Sequence, residues 1–187
     1  MAHVLRDLLH GVFGLIAVIW VAMALRTKRT VARGRGLWPI VAIAFAVFVV
    51  LKAVLPSSTW AQRLWDPGVP VSAAALALGA AGAAFAIWAR VTIAGNWSGA
   101  IVLKADHQLV TSGPYALARH PIYTGFFAMF AAEVLVDPQV ATLVALTLAT
   151  VGLVVKSRAE ERLMEATFPD QYPAYRARVK AIIPFVA

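Results

Sequence analysis

Long apolar runs dominate this 187-residue chain and limit what it can fold into. A soluble domain is about 45–50% apolar and about 25% charged. This chain is 61% hydrophobic and only 14% charged. One small core cannot bury such a surplus, because a small domain keeps a large part of its residues at the surface. The apolar runs therefore predict helices that face lipid.

The apolar runs predict an all-α, polytopic membrane protein with about five transmembrane helices, at 4–25, 37–55, 71–93, 122–136 and 140–155. A helix rises about 1.5 Å per residue, so about 20 residues cross the hydrocarbon layer. The fourth run is short, and Asp137-Pro138 separates it from the fifth, which predicts a tight helical hairpin. The last helix is expected to continue beyond the bilayer, because Lys156 to Thr167 keeps good helix propensity.

Basic residues are distributed unevenly over the segments between these runs. Five lie in the first loop, three between Arg90 and Arg119, and six from Lys156 onward. Because basic segments stay on the cytosolic side, the N-terminus is predicted to lie outside, with the polar stretch 95–121 and the C-terminal tail in the cytosol. The same rule explains the net charge of +8 by contact with anionic lipid, so no nucleic-acid partner is expected.

The organisation predicted is a single membrane domain over residues 1–187. Residues 1–94 would hold three transmembrane helices, and 95–187 a functional loop, the helical hairpin and the tail. In the loop between the second and third helices, Trp60 and Trp65 are expected at the headgroup level, where tryptophan is enriched. The alanine- and arginine-rich composition favours the cell membrane of a bacterium or an archaeon.

Residue types exclude several kinds of chemistry. The chain has no cysteine, so a disulfide or a thiolate nucleophile is impossible. Its four histidines show no metal-ligand spacing, and no metal site is expected.

The stretch 95–121 concentrates polar, aromatic and glycine residues in an otherwise apolar chain. His120 and Tyr123 are three residues apart at the beginning of a predicted helix, so they can share a face. Pro121 suits the first turn of that helix. Its N-terminus is expected to offer free amide donors that favour a ligand carboxylate. Each residue also has an ordinary explanation: the tyrosine as an interfacial anchor, the histidine as a solvated loop residue, and Arg119 as an anchor for lipid phosphate.

Three further residues carry charges that a membrane helix does not need. Lys156 and Glu160 are four residues apart and therefore neighbours on one helix face, which is also common on a solvated helix end. Glu133 lies inside the fourth apolar run. An ionisable group at membrane depth is a functional candidate, but the nearby Asp137-Pro138 turn equally predicts a hydrated position at the outer interface.

Several motifs, taken in order, resemble the isoprenylcysteine carboxyl methyltransferase family, and the related phospholipid N-methyltransferases share much of the pattern. They are His107-x-Leu-Val, Ser-Gly-Pro-Tyr115, Arg-His-Pro-Ile-Tyr123-x-Gly, Glu160-Glu161-x-Leu, Phe168-x-x-x-Tyr172-x-x-Tyr175 and a final Ile-Pro. The resemblance covers about residues 84 to 185, and the combination of motifs is more specific than any one of them. It implies a membrane-embedded fold with a cytosolic pocket for S-adenosyl-L-methionine, which leaves as S-adenosyl-L-homocysteine.

The resemblance also implies roles for individual residues. Glu160, Tyr123 and Lys156 would be catalytic. Lys156 would also bind the substrate, at a position where eukaryotic relatives carry an arginine. Lysine lacks the planar fork of arginine and binds a carboxylate less rigidly. The residues that would hold the cofactor are Ala100, His107, Leu109, Val110, Tyr115, His120, Pro121, Tyr123 and Glu160.

The resemblance implies an enzyme that transfers a methyl group to a lipophilic acceptor at the membrane. Carboxyl methylation of a protein S-isoprenylcysteine is the first expectation, and N-methylation of a phosphatidylethanolamine-type phospholipid is the second. An NADPH-dependent membrane reductase remains as an alternative of another class, although no convincing set of residues for the adenosine phosphate is present.

Overall fold

A computed structural model describes residues 1–25, 30–33, 38–94, 97, 102–104 and 108–184. The helices are α1 (Ala2–Ala24), α2 (Trp38–Val54), α3 (Ser57–Ala61), α4 (Val69–Ile93), α5 (Pro121–Val136), α6 (Val140–Thr167) and α7 (Tyr172–Arg178). A 3-10 turn at Gly113–Ala116 precedes α5. The predicted helical class is confirmed. Of the described helices, α1, α4 and α6 are long and apolar enough to cross a membrane, and α5 is a shorter apolar helix.

A short pair of strands is an addition that the sequence pattern did not predict. β1 (Thr30–Arg33) pairs antiparallel with β2 (Val102–Lys104), with Arg33 opposite Val102. β1 belongs to the basic first loop and β2 to the polar stretch before α5. The strand pair therefore joins two segments that are about 70 residues apart in the chain.

The centre of the fold is the packing of α4 between α1 and α5. Small residues make this possible: Gly82 of α4 and Gly125 of α5 face each other backbone to backbone. A methyl group at Gly82 would lie 2.7 Å from the carbonyl oxygen of Gly125. At Gly79, a methyl group would lie 2.3 Å from the Leu9 side chain of α1. Small residues are what allow helices to approach closely inside a membrane.

Outside these contacts, the helices present apolar side chains to the surroundings. On α1, Leu15, Val18 and Val21 are each more than 60% exposed. In a soluble protein such a surface would drive aggregation, whereas in a bilayer it is the surface that lipid covers. The chain is therefore an integral membrane protein.

The connection between α5 and α6 is as short as predicted. Asp137 ends α5, and its carboxylate accepts hydrogen bonds from Gln139 and Thr142, both at 2.8 Å. α6 then runs without a break through Lys156 to Thr167, as expected from helix propensity. However, α5 packs far more extensively against α4 than against α6, so the two consecutive helices form only a loose hairpin.

The segment between α2 and α4 corrects one expectation. Trp60, expected at the headgroup level, lies in α3 with 4% exposure, and its ring is 5.7 Å from that of Phe48 in α2. Trp65 is 40% exposed, and its indole N–H donates to the carbonyl of Leu135 at 3.3 Å. Only Trp65 is thus exposed as an interfacial anchor would be, because α3 turns Trp60 inward.

The glycine contact between α4 and α5 yields a stability prediction. We expect Gly82→Ala to destabilise the protein by about 1–3 kcal/mol, the usual range for an overpacked site, because the new Cβ meets backbone atoms that cannot move aside. Gly152→Ala is the control, since nothing lies within 4 Å of a Cβ at that position. Thermal unfolding in detergent should show a lower midpoint for the first variant only. Equal midpoints would contradict the close helix contact.

Candidate functional site

Three charged or polar side chains meet where α5 begins beside α6. Nζ of Lys156 donates to the hydroxyl of Tyr123 at 2.8 Å and lies 3.1 Å from Oε1 of Glu160. The Tyr123 hydroxyl in turn donates to the Glu160 carboxylate, with the nearer oxygen at 2.8 Å. Lys156 and Glu160 come from successive turns of α6, and Tyr123 from the first turn of α5. The structure thus brings together the three residues predicted to be catalytic.

His120 connects this group to a second carboxylate. Its ring stacks on the ring of Tyr123, with centroids 5.4 Å apart and planes inclined by 5°. One ring nitrogen lies 3.7 Å from Glu160 and the other 3.2 Å from Glu161. The spacing of three residues on α5 and the adjacent glutamates on α6 together produce this arrangement.

An apolar wall lies next to the polar group. Tyr115, Ile122 and Tyr123 form a buried cluster, against which Val110 packs. Burial raises the pKa of the Tyr115 hydroxyl above its ordinary value, so that side chain stays neutral. Of the other residues predicted to bind a cofactor, Pro121 is fully buried at the start of α5 and Leu109 is half-buried in the preceding coil. Ala100 and His107 lie outside the described residues.

Arg119 has a different role from the lipid anchor that the sequence suggested. Its guanidinium donates to one oxygen of Glu161 at 2.7 and 2.9 Å, and its side chain is only 9% exposed. It also donates to the carbonyls of Arg176 and Val179. Arg119 therefore points inward and joins α5, α6 and the C-terminal segment. Apart from His120, which contacts both, the adjacent Glu160 and Glu161 face different partners because consecutive helix residues point about 100° apart.

The C-terminal segment closes the N-terminal end of α5, which corrects the expectation of free amide donors there. The amide of Arg119 donates to the carbonyl of Lys180, and that of His120 donates to the carbonyl of Ala181, both at 2.8 Å. The hydroxyl of Thr124 donates to the carbonyl of Ile182. A ligand carboxylate would have to compete with these bonds, so this helix end is a docking site for the chain's own tail.

Two buried tyrosines of α7 strengthen the same docking. Tyr172 and Tyr175 are 3% and 4% exposed. The hydroxyl of Tyr175 donates to the carbonyl of Tyr115 at 2.6 Å. Burial raises the pKa of Tyr175 to about 12, so this hydroxyl keeps its proton at physiological pH. The tail therefore returns to the helix bundle and supports the wall that contains Tyr115.

Arg90 is a buried residue whose role the sequence did not reveal. It is 1% exposed and donates to the carbonyls of Ala94 and Met23, both at 2.7 Å. Its guanidinium also lies 4.5 Å from the centre of the Trp97 ring, a cation–π contact. Arg90 thus ties the end of α1 to the end of α4 and positions Trp97. The position of Arg90 inside an apolar run could have indicated this role, because a buried charge needs partners.

Glu133 is bound by a residue of another helix. His10 of α1 lies 3.1 and 3.2 Å from the two carboxylate oxygens of Glu133. The pair lies far along α5 from Tyr123, so it does not belong to the group described above. His10 and Glu133 each lie in an apolar run of the sequence, and this feature could have predicted that they pair.

The fold and this group of residues define a class: a helical integral membrane protein with a buried, ion-paired polar cluster at one end of its bundle. Residues 75–166 match the sequence profile of the isoprenylcysteine carboxyl methyltransferase (ICMT) family. The match contains α5 and α6 with Tyr123, Lys156 and Glu160. Over these residues, just under half of its length, the chain is similar to the ICMT family.

Curated relatives include a metal-resistance protein and a methyltransferase. The chain is 31% identical over 137 residues to the cobalt-zinc-cadmium resistance protein CzcN of Cupriavidus metallidurans, covering 73% of this chain and 61% of that protein. It is 35% identical over 82 residues to the protein-S-isoprenylcysteine O-methyltransferase of Schizosaccharomyces pombe, covering 43% of this chain and 35% of that enzyme. The chain thus spans between about a third and two thirds of the length of these relatives.

A solved structure shows the same fold. The eukaryotic intramembrane Ras methyltransferase ICMT aligns with 79% of this chain and 51% of its own, with a TM-score of 0.52 and 24% sequence identity. At this sequence identity, the similarity shows only that the helices are arranged alike.

The bond between Arg119 and Glu161 yields a test of the docked tail. We expect Glu161→Gln to weaken docking by about 2–3 kcal/mol, the range for losing hydrogen bonds to a charged group in a partly buried pair. Trypsin should then cleave after Arg176 or Arg178 at least about 30-fold faster in detergent. Glu165→Gln is the control, because among the residues that the structure describes Glu165 pairs only with the half-exposed Arg176, and such pairs contribute little. Equal cleavage of both variants would contradict the account.

Proposed function

We propose that this chain transfers a methyl group from S-adenosyl-L-methionine to a lipophilic acceptor at the membrane. The observation that carries the proposal is the Lys156–Tyr123–Glu160 cluster, which lies within the matched region and beside an apolar wall. Carboxyl O-methylation of the isoprenylcysteine type is the activity we favour. Similarity to the ICMT family supports it, as does similarity to the protein-S-isoprenylcysteine O-methyltransferase of Schizosaccharomyces pombe.

The side chains fit the proposed cofactor in their chemistry. Glu160 keeps 23% of its side chain accessible, so its carboxylate still has lone pairs for the amino or ribose groups of a ligand. Tyr115 and Val110 supply an apolar surface for an adenine ring. When bound, S-adenosyl-L-methionine supplies an electrophilic methyl group and leaves as S-adenosyl-L-homocysteine. We propose that Ala100, His107, Leu109, His120 and Pro121 complete this pocket.

Lys156 is suited to hold one oxygen of an acceptor carboxylate. Its ammonium group has three protons, and two of them are directed to Tyr123 and Glu160. The third can bind a single carboxylate oxygen and leave the other oxygen free to attack. A carboxylate is already ionised and needs no general base. The residues would then act by positioning the acceptor and excluding water.

An amine acceptor is the second candidate, and the hydrogen-bond chain favours it. An amine must lose a proton when it is methylated, and a carboxylate with a phenol can accept one. Glu160 and Tyr123 share a hydrogen bond of 2.8 Å, which makes a proton path available. Phospholipid N-methylation of the phosphatidylethanolamine type would use this path.

We further propose five crossings in one domain over residues 1–187. α2 and α5, with 17 and 16 residues, would add two crossings to the three long helices. The N-terminus would lie outside, and the cluster and the C-terminal segment in the cytosol of a prokaryotic cell. The contacts of α1 with α4 and of β1 with β2 support a single domain.

A binding titration tests the proposed cofactor. We expect calorimetry of the purified protein to show heat with S-adenosyl-L-methionine and S-adenosyl-L-homocysteine but none with NADPH. Glu160→Gln should weaken this binding at least about tenfold, the usual effect of losing a charge-assisted hydrogen bond. Its unfolding midpoint should stay close to that of the wild type, and Glu165→Gln should bind normally. If only NADPH gave heat, the methyltransferase proposal would be wrong and a reductase would be favoured.

Substitution of Lys156 distinguishes a carboxylate acceptor from an amine acceptor. With a prenylcysteine analogue as acceptor, we expect Lys156→Met to raise KM about tenfold, because one charge-assisted hydrogen bond is lost. Lys156→Arg should retain activity, since arginine keeps the positive charge and N–H donors for the carboxylate. With phosphatidylethanolamine, KM should not rise in Lys156→Met. Activity on the amine alone in the wild type would overturn carboxyl methylation in favour of the second candidate.

A further inference from the structure

A cleft of about 490 Å³ opens between α5, α6 and the C-terminal segment. Its wall is mainly apolar and includes Phe127 of α5, Val154 of α6 and Ile182 of the tail. Its polar end contains Arg158, Glu161 and Arg176. The cleft is therefore amphipathic along its length, with arginines at one end only.

The position of the cleft along α6 corresponds to the edge of a bilayer. At 1.5 Å per residue, Val154 lies about 21 Å and Arg158 about 27 Å from the beginning of α6 at Val140. The hydrocarbon layer is about 30 Å thick. The apolar wall is therefore at acyl-chain depth, and Arg158 is about 3 Å inside the hydrocarbon edge, from where its long side chain can extend to the lipid phosphates.

The charges at the polar end are not balanced. Glu161 is already bound by Arg119 at 2.7 Å and His120 at 3.2 Å. Arg176 pairs with Glu165, and its Nε also lies 3.9 Å from Oε2 of Glu161. Arg158 is exposed, and no salt bridge to it is found among the residues that the structure describes. One guanidinium is thus available for an anion at headgroup depth.

We propose that this cleft binds one anionic phospholipid of the bilayer. Its phosphate would bind Arg158, with Arg176 beside it, and one acyl chain would lie along Phe127, Val154 and Ile182. Arginine suits this role because its planar fork matches a phosphate group. A zwitterionic lipid would bring a quaternary ammonium beside the same arginines and bind less well.

This lipid site is separate from the proposed methyl-transfer site. Lys156 and Glu160 point from α6 toward Tyr123, whereas Val154, Arg158 and Glu161 lie on a different face of the helix. The two faces are about 145° apart, given 3.6 residues per turn. A lipid in the cleft would contact both α6 and the tail, and would therefore stabilise the docked C-terminal segment whether or not methyl transfer occurs.

Native mass spectrometry of the full chain in detergent tests the charged end, with phosphatidylglycerol and phosphatidylcholine as the probes. We expect one tightly held phosphatidylglycerol and a weaker phosphatidylcholine. Arg158→Gln should bind phosphatidylglycerol about fivefold more weakly, since one basic residue near anionic lipid contributes about 1 kcal/mol. Arg162→Gln is the matched control, an exposed arginine one turn along α6 that does not line the cleft. Equal losses in both variants, or equal binding of the two lipids, would overturn the proposal.

A second pair of variants tests the apolar end. Val154→Phe fills the cleft and should abolish tight phosphatidylglycerol binding. Val151→Phe enlarges a side chain that is 53% exposed outside the cleft, and should leave binding unchanged. Unchanged binding in Val154→Phe, with its unfolding midpoint retained, would place the lipid elsewhere and contradict the proposal.

Discussion

The close contact of α4 with α5 at Gly82 and Gly125 is the constraint on which the rest of the structure depends. Inside a bilayer, helices gain little from burying apolar surface, because lipid is equally apolar. Their association needs backbone approach and close packing. A Cβ at either glycine would overlap the facing carbonyl oxygen, at 2.7 and 2.5 Å. This contact fixes α5, which carries Tyr123 in its first turn and His120 directly before it.

From that fixed helix, two neighbouring glutamates of α6 take different tasks. Glu161 binds Arg119, which also holds two carbonyls of the C-terminal segment. Glu160 binds Tyr123 and Lys156 and remains partly accessible. Two adjacent positions of α6 thus provide one carboxylate that holds the structure and one that stays partly accessible. The docked tail positions the wall of the proposed pocket, because Tyr175 bonds to the backbone of Tyr115.

Much of the fold could be predicted from the sequence, because hydropathy reports directly on lipid-facing helices. The bounds of α2 and α5, and the extension of α6, agree with the apolar runs and helix propensity. The strand pair and the buried Trp60 could not be predicted, since both depend on contacts between segments far apart in the chain. For the site, helix spacing placed Lys156 beside Glu160 and His120 beside Tyr123. The hydrogen bonds between α5 and α6, the inward turn of Arg119 and the tail over the start of α5 needed the structure.

The central claim is that Tyr123, Glu160 and Tyr115 line the pocket of a methyl donor in a membrane-embedded helical fold. An experimental structure of the protein with S-adenosyl-L-homocysteine tests this most directly. The account predicts the ligand between the start of α5 and the Lys156–Glu160 face of α6, with a polar ligand atom within hydrogen-bond distance of the Glu160 carboxylate. A ligand bound elsewhere, with Glu160 still paired to Tyr123 and Lys156 alone, would contradict it.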